Sequence, residues 1–125
     1  METCRRNTVR RRVLSLLKTV RKFFGEAVVV TQEVEDIISS DIVKGTIINN
    51  SDCKILLDQR KYANKFDSIQ SLLGLTDKER AQILSINMAN NPSRRYKEVW
   101  IGLGSSQSAV YATEVSLDEY YCYTT

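Results

Sequence analysis

The sequence predicts an α/β domain, with a mostly parallel sheet, flanking helices, a C-terminal β-hairpin and a short terminal helix. Three observations carry that expectation. Residues 9–24 place Val9, Val13, Leu16, Leu17, Val20 and Phe24 at three- and four-residue steps, which is one face of an amphipathic helix. Directly after it, Ala27-Val28-Val29-Val30-Thr31 is a short apolar β-branched run that stops at Gln32-Glu33, the pattern of a strand buried on both faces. A second run, Cys53-Lys54-Ile55-Leu56-Leu57, ends in the polar residues Asp58-Gln59-Arg60.

The remaining elements follow in chain order. Gly25 stands where a left-handed C-cap would close the first helix. Val34 to Ile48 carries Ile37, Ile38, Ile42, Val43 and Ile47 around Ser40-Asp41, which reads as two short helices or one broken one. Asn49-Asn50-Ser51-Asp52 is a turn cluster. Phe66, Ile69, Leu72 and Leu73 form a helical stripe closed by Gly74. Thr76-Asp77-Lys78-Glu79 is a capping box and opens a helix to about Ile86, with Ile83 and Leu84 inward. Asn90-Asn91-Pro92-Ser93 is a loop. Lys97 to Leu103 and Ala109 to Val115 alternate as the two arms of a hairpin, with Gly104-Ser105-Ser106-Gln107 between them. Ser116-Leu117-Asp118-Glu119 is a second capping box, opening the terminal helix.

Composition narrows the function classes. The 125 residues suffice for one domain with a modest core. No apolar run approaches the roughly 20 residues that span a bilayer. Histidine is absent, which removes Ser-His and Cys-His nucleophilic pairs and imidazole-bearing metal sites. Cys4, Cys53 and Cys122 are odd in number and far apart, as expected of buried or idle thiols in a reducing compartment. No G-x-x-x-x-G-K-[ST] loop occurs. The net charge of +3 divides into +7 over residues 1–22 and −4 over the rest. A basic arm on a mildly acidic body is suited to nucleic acid or an acidic partner, with Arg5, Arg6, Arg10, Arg11 and Arg12 as the DNA-facing candidates. Trp100, Tyr111, Tyr120, Tyr121 and Tyr123 interleave with no basic cluster, so they are expected to pack rather than to stack on bases.

Four collinear stretches carry a family resemblance. They are residues 19–33, TVRKFFGEAVVVTQE; 47–59, IINNSDCKILLDQ; 97–104, KEVWIGLG; and 108–115, SAVYATEV. Together, over about residues 14–125, they resemble the C-terminal part of TraG-type conjugative-transposon ATPases, relatives of the VirB-type ATPases of type IV secretion. The resemblance implies part of a RecA-like P-loop domain of the HerA/FtsK type, with residues 1–12 as a non-matching basic arm and 13–125 as the C-terminal part of the ATPase domain. It implies ATP and magnesium for the complete ATPase and no cofactor for this chain alone. It implies partners among further copies or other conjugation subunits, and a cytoplasmic location, free or peripheral at the inner membrane.

In that family a strand ending in Thr/Ser-Gln follows the Walker B strand and its glutamine senses the γ-phosphate. Gln32 matches that position and Thr31 precedes it, as a weaker nucleotide contact. An amide suits the role because it can donate to a phosphate oxygen while accepting from an attacking water. Such motors also complete a neighbour's site with an arginine. Arg60, just past the second strand, is placed for this, with Arg80, Arg94 and Arg95 as alternatives. The Walker A loop and Walker B strand lie upstream of the matching region in the family, and residues 1–12 show neither. The expectation is therefore a chain that is inactive alone. The other expectation is a stand-alone α/β binding module that contacts DNA or a partner subunit through its basic N-terminal helix.

Overall fold

The computed structural model describes residues 11–12, 15–32, 41–89, 96–104 and 106–124. The chain divides into two compact units, Met1–Ser51 and Asp52–Thr125.

In the first unit, residues 15–19 are helical and tighten into a 3₁₀ turn over Val20–Phe23. The left-handed residue that ends the turn is Phe24, at φ 53°, and not Gly25. Gly25 serves by its lack of a side chain: its amide donates to the Val20 carbonyl at 3.1 Å, and a Cβ there would lie 3.0 Å from Val20 Cγ2. Helix α1 spans Asp41–Asn50 and is the second of the helical segments expected between 34 and 48. Residues 33–40, which would hold the first, lie outside the described residues.

The stretch expected to be the central buried strand is not a strand. Residues 25–31 have no regular structure, and Val28 and Val30 are 83% and 87% exposed. A strand needs neighbours to satisfy its N–H and C=O groups, and no described strand pairs with this one. High β-propensity alone does not supply that pairing.

The second unit holds the sheet. Strand β1 is Cys53–Leu56, β2 is Tyr96–Leu103 and β3 is Gln107–Glu114, in the order β1-β2-β3. Both pairings are antiparallel, with Ile55 opposite Ile101 and Ile101 opposite Ala109. The mostly parallel sheet expected from the sequence is thus corrected. Between β1 and β2 lie a 3₁₀ turn, Arg60–Lys65, then α2, Phe66–Leu73, and α3, Asp77–Ser85.

Local signals fix the helix ends. Gly74 closes α2 at φ 65°, a conformation glycine adopts without a Cβ penalty. The Thr76 box is formed: the Thr76 amide donates to Glu79 Oε2 at 2.8 Å, and the Glu79 amide donates to Thr76 Oγ1 at 3.3 Å. Ser116 and Glu119 repeat the exchange at 2.9 and 3.2 Å ahead of α4, Leu117–Thr124.

The core comprises Phe66, Ile69, Leu75, Ile83, Ile86 and Trp100. Pairing partners and sheet alternation place Trp100, Gly102, Ser108 and Val110 on one face. Trp100 lies across Gly102, where a Cβ would meet Trp100 Cη2 at 2.3 Å. Its indole N–H donates to Gln82 Oε1 on α3 at 3.2 Å, and Ser108 Oγ donates to the same oxygen at 3.3 Å. The other face carries Ile55, Val99, Ile101, Leu103 and Tyr111, half-buried or exposed. The tyrosines do not pack as expected. Tyr111 on β3 is exposed, and so are Tyr120, Tyr121 and Tyr123, since every described side chain of α4 faces solvent. Cys53 and Cys122 are free and exposed, so of the two alternatives expected for them, buried or idle, burial does not hold.

The contact at Gly102 gives a stability prediction. Gly102→Ala forces the Trp100 ring to shift in a filled space, and should destabilise the protein by about 1–3 kcal/mol. Urea unfolding measures it, and unchanged stability would refute the packing described.

Candidate functional site

The best-organised polar cluster lies just past β1. Asp58 and Arg60 form an ion pair in which Arg60 Nε donates to both carboxylate oxygens at 2.9 Å. The Arg60 amide also donates to Asp58 Oδ1, at 3.1 Å, so the carboxylate clamps both ends of the arginine. Arg60 Nη1 reaches the Asn87 carbonyl at 3.4 Å. Asn87 has φ 57°, a left-handed conformation that asparagine tolerates better than most residues. It exchanges two bonds with β2: its amide donates to Glu98 Oε2 at 2.7 Å, and its side-chain oxygen accepts from the Glu98 amide at 3.0 Å. The cluster therefore ties the exit of β1, the segment after α3 and the start of β2 together.

The electrostatics follow from that clamp. The Arg60 side-chain hydrogen bond holds the Asp58 carboxyl below its usual value, against a smaller opposing effect of burial. The same hydrogen bond raises Arg60 above its ordinary value. The arginine is committed to an internal carboxylate although half its side chain is exposed.

Arg80 is also engaged within the second unit. It pairs with Asp67, and its Nη1 donates to Gln70 Oε1 at 3.1 Å, bracing α3 against α2. Arg94 and Arg95 lie outside the described residues, as do Arg5, Arg6 and Arg10. Arg11 and Arg12 are helical and exposed. In the first unit, Thr31 and Gln32 are exposed at the end of the valine run, with Gln32 in a bend.

These placements test the fit of a nucleotide. A γ-phosphate sensor has to be held rigidly at a strand end, and Thr31 and Gln32 are not on a strand. Arg60 is neutralised by Asp58. A groove of about 500 Å³ opens beside the start of α3, lined by Thr76, Lys78, Glu79, Ile101, Leu103 and Tyr111 among others. It does not suit phosphate either, since the Glu79 carboxylate already caps the helix N-terminus and offsets its positive end. The described residues as placed do not fit a bound triphosphate.

Gln82, Asn87 and Glu98 escaped the sequence reading. Asn87 alone had a usable signal, an asparagine just beyond a helix end, where left-handed residues concentrate. The partners of Gln82 and Glu98 are set by tertiary packing.

The fold is a mixed α/β arrangement, and no described helix is long and apolar enough to cross a membrane. The chain matches the model of the TraG P-loop domain over residues 4–125 and belongs to that family. That membership makes it a conjugation-related relative of the P-loop NTPases, and the matched span takes in the arginine-rich residues 5–12. Comparison with curated proteins gives no match, and neither does comparison with solved structures.

The clamp makes a pH prediction. A carboxyl whose folded pKa is depressed stabilises the fold above its unfolded pKa, and that contribution is lost as pH falls through the folded value. Asp58→Asn should therefore flatten the acid limb of a stability-against-pH curve below the ordinary carboxylate range. At neutral pH it should cost at most about 1 kcal/mol, the scale of a solvent-exposed pair. Urea unfolding across the acid range reads both effects, and an unchanged acid limb would contradict the pairing.

Proposed function

We propose that this chain carries the sensor-bearing part of a conjugal-transfer ATPase domain and does not hydrolyse ATP by itself. One observation carries the reading. The TraG P-loop match covers residues 4–125, yet no phosphate-loop sequence occurs anywhere in the 125 residues. Phosphoryl transfer depends on positioning and electrostatic support from loop amides, a lysine and a carboxylate-held magnesium. Gln32 supplies an orienting amide but none of those supports.

In this reading Gln32 acts only once a strand environment is built around residues 27–31. Arg60 would have to exchange Asp58 for a phosphate to serve as a finger in trans, which makes it the weaker of the two site residues. The partners proposed are further copies of the chain or other subunits of the transfer machinery, at the cytoplasmic side of the inner membrane. The exposed Arg11 and Arg12 are available to DNA.

A coupled phosphate-release assay on the purified chain tests the central point. The expected result is no magnesium-dependent release above that of a Gln32→Ala control. Magnesium-dependent turnover that disappears in Gln32→Ala would overturn the proposal.

A further inference from the structure

Helix α4 and the open face of the sheet are two apolar surfaces of one unit, joined by a very short link. Leu117, Tyr120 and Tyr121 stand at i, i+3 and i+4, on one side of the helix, and all three are more than half exposed. The rings of Tyr120 and Tyr121 meet edge to face with centroids 6.0 Å apart, so they already form one surface. A helix of eight residues is marginal in water and draws its stability from packing its apolar side. Every described side chain of α4 is nonetheless exposed. The open face begins where the helix leaves the sheet. Lys97, Val99, Tyr111 and Thr113 share that face at the same end of the hairpin, and Tyr111 is 51% exposed. Ser116 is bonded to Glu119 in the helix at 2.9 and 3.2 Å, so Val115 is the single residue between the end of β3 and the cap.

We infer that α4 is a strap that folds back about Val115 and closes over the Tyr111 end of the open face. Reach fixes how much it covers. Eight helical residues span about 12 Å, and the three residues of strand from Glu114 back to Tyr111 span about 10 Å. The strap therefore covers Tyr111 and its cross-strand neighbour Val99, and stops short of Leu103, which lies opposite Gln107 at the other end of the hairpin. Charge fixes its orientation. With Leu117, Tyr120 and Tyr121 against the sheet, Asp118 flanks the stripe in the first turn, and Lys97 is an exposed cation at that end of the face. Closure brings the two together. Tyr123 falls on the far side of the helix and stays in water. Tyr111 also lines the groove beside the start of α3, so closure narrows that groove at one end.

Hydroxyl-radical footprinting of the full chain at several protein concentrations, read by mass spectrometry, tests this. Relative to their intrinsic reactivities, Tyr111, Tyr120 and Tyr121 should oxidise slowly while Tyr123, Leu103 and Ile55 stay reactive, at every concentration. Leu117→Asp should speed oxidation of Tyr111 at least about fivefold, because it takes a buried leucine from the closed strap. Asp118→Lys should speed it about twofold to fivefold, the scale of one exposed ion pair, and adding Lys97→Asp should restore the wild-type rate. These substitutions fall on exposed side chains, so the fold does not depend on them. Tyr111 as reactive in the unaltered chain as in Leu117→Asp overturns the inference. So does protection that grows with concentration, the mark of a second copy on this face. Leu103 protected as well as Tyr111, or a charge swap that restores nothing, overturns it too. None of these results depends on ATP turnover, so the two proposals fail separately.

Discussion

The second unit depends on how Trp100 is seated. The far edge of its ring lies against Gly102, two residues along the same strand, in space that a Cβ there would enter. From there the indole N–H reaches Gln82 on α3, and Ser108 on the neighbouring strand reaches the same amide oxygen. One side chain thus joins two strands and a helix, with both donors satisfied in a part-buried setting where an unmet donor would cost about 1–3 kcal/mol. The helix is held to one face of the sheet, and the buried residues Phe66, Ile83 and Ile86 accompany it. The opposite face is left with Ile55 and Tyr111 open to solvent, and β3 is left as an edge. The covered core and the exposed surface both follow from that asymmetry.

The sequence was most legible where structure is local. Gly74, the Thr76 and Ser116 boxes and the 96–114 hairpin could be read because each depends on residues within a few positions of one another. Strand direction could not be read from the strands. A buried apolar run looks alike in parallel and antiparallel sheets, and the direction is set by the strand it pairs with, a contact made across the fold. The valine run failed for a different reason. Residues 27–31 have the composition of a central strand, but composition supplies no neighbour, and no described strand lies beside these exposed valines. Asn87 and Glu98 owe their roles to contacts made across the fold, and Arg60 could be located from sequence while its commitment to Asp58 could not.

Family and site carry different weight in the functional account. Membership in the TraG P-loop family rests on a match over nearly the whole chain. The residues that would serve a nucleotide are not arranged to do so: Gln32 sits in an exposed bend, and Arg60 is clamped by its own carboxylate. A strand environment around 27–31 would make Gln32 useful, and an anion able to displace Asp58 would make Arg60 useful. The family relationship describes what the chain is built from, and the geometry describes how Gln32 and Arg60 are placed within it.

Amide hydrogen exchange on the isolated chain tests this account most directly, because it reads order residue by residue. Strands β2 and β3 should be protected as one cooperative unit, while the amides of Val28 to Val30 exchange close to the rate of an unstructured peptide. Protection of Val28 to Val30 comparable with that of Trp100 and Ile101 would show a paired strand already formed there, and would contradict the account.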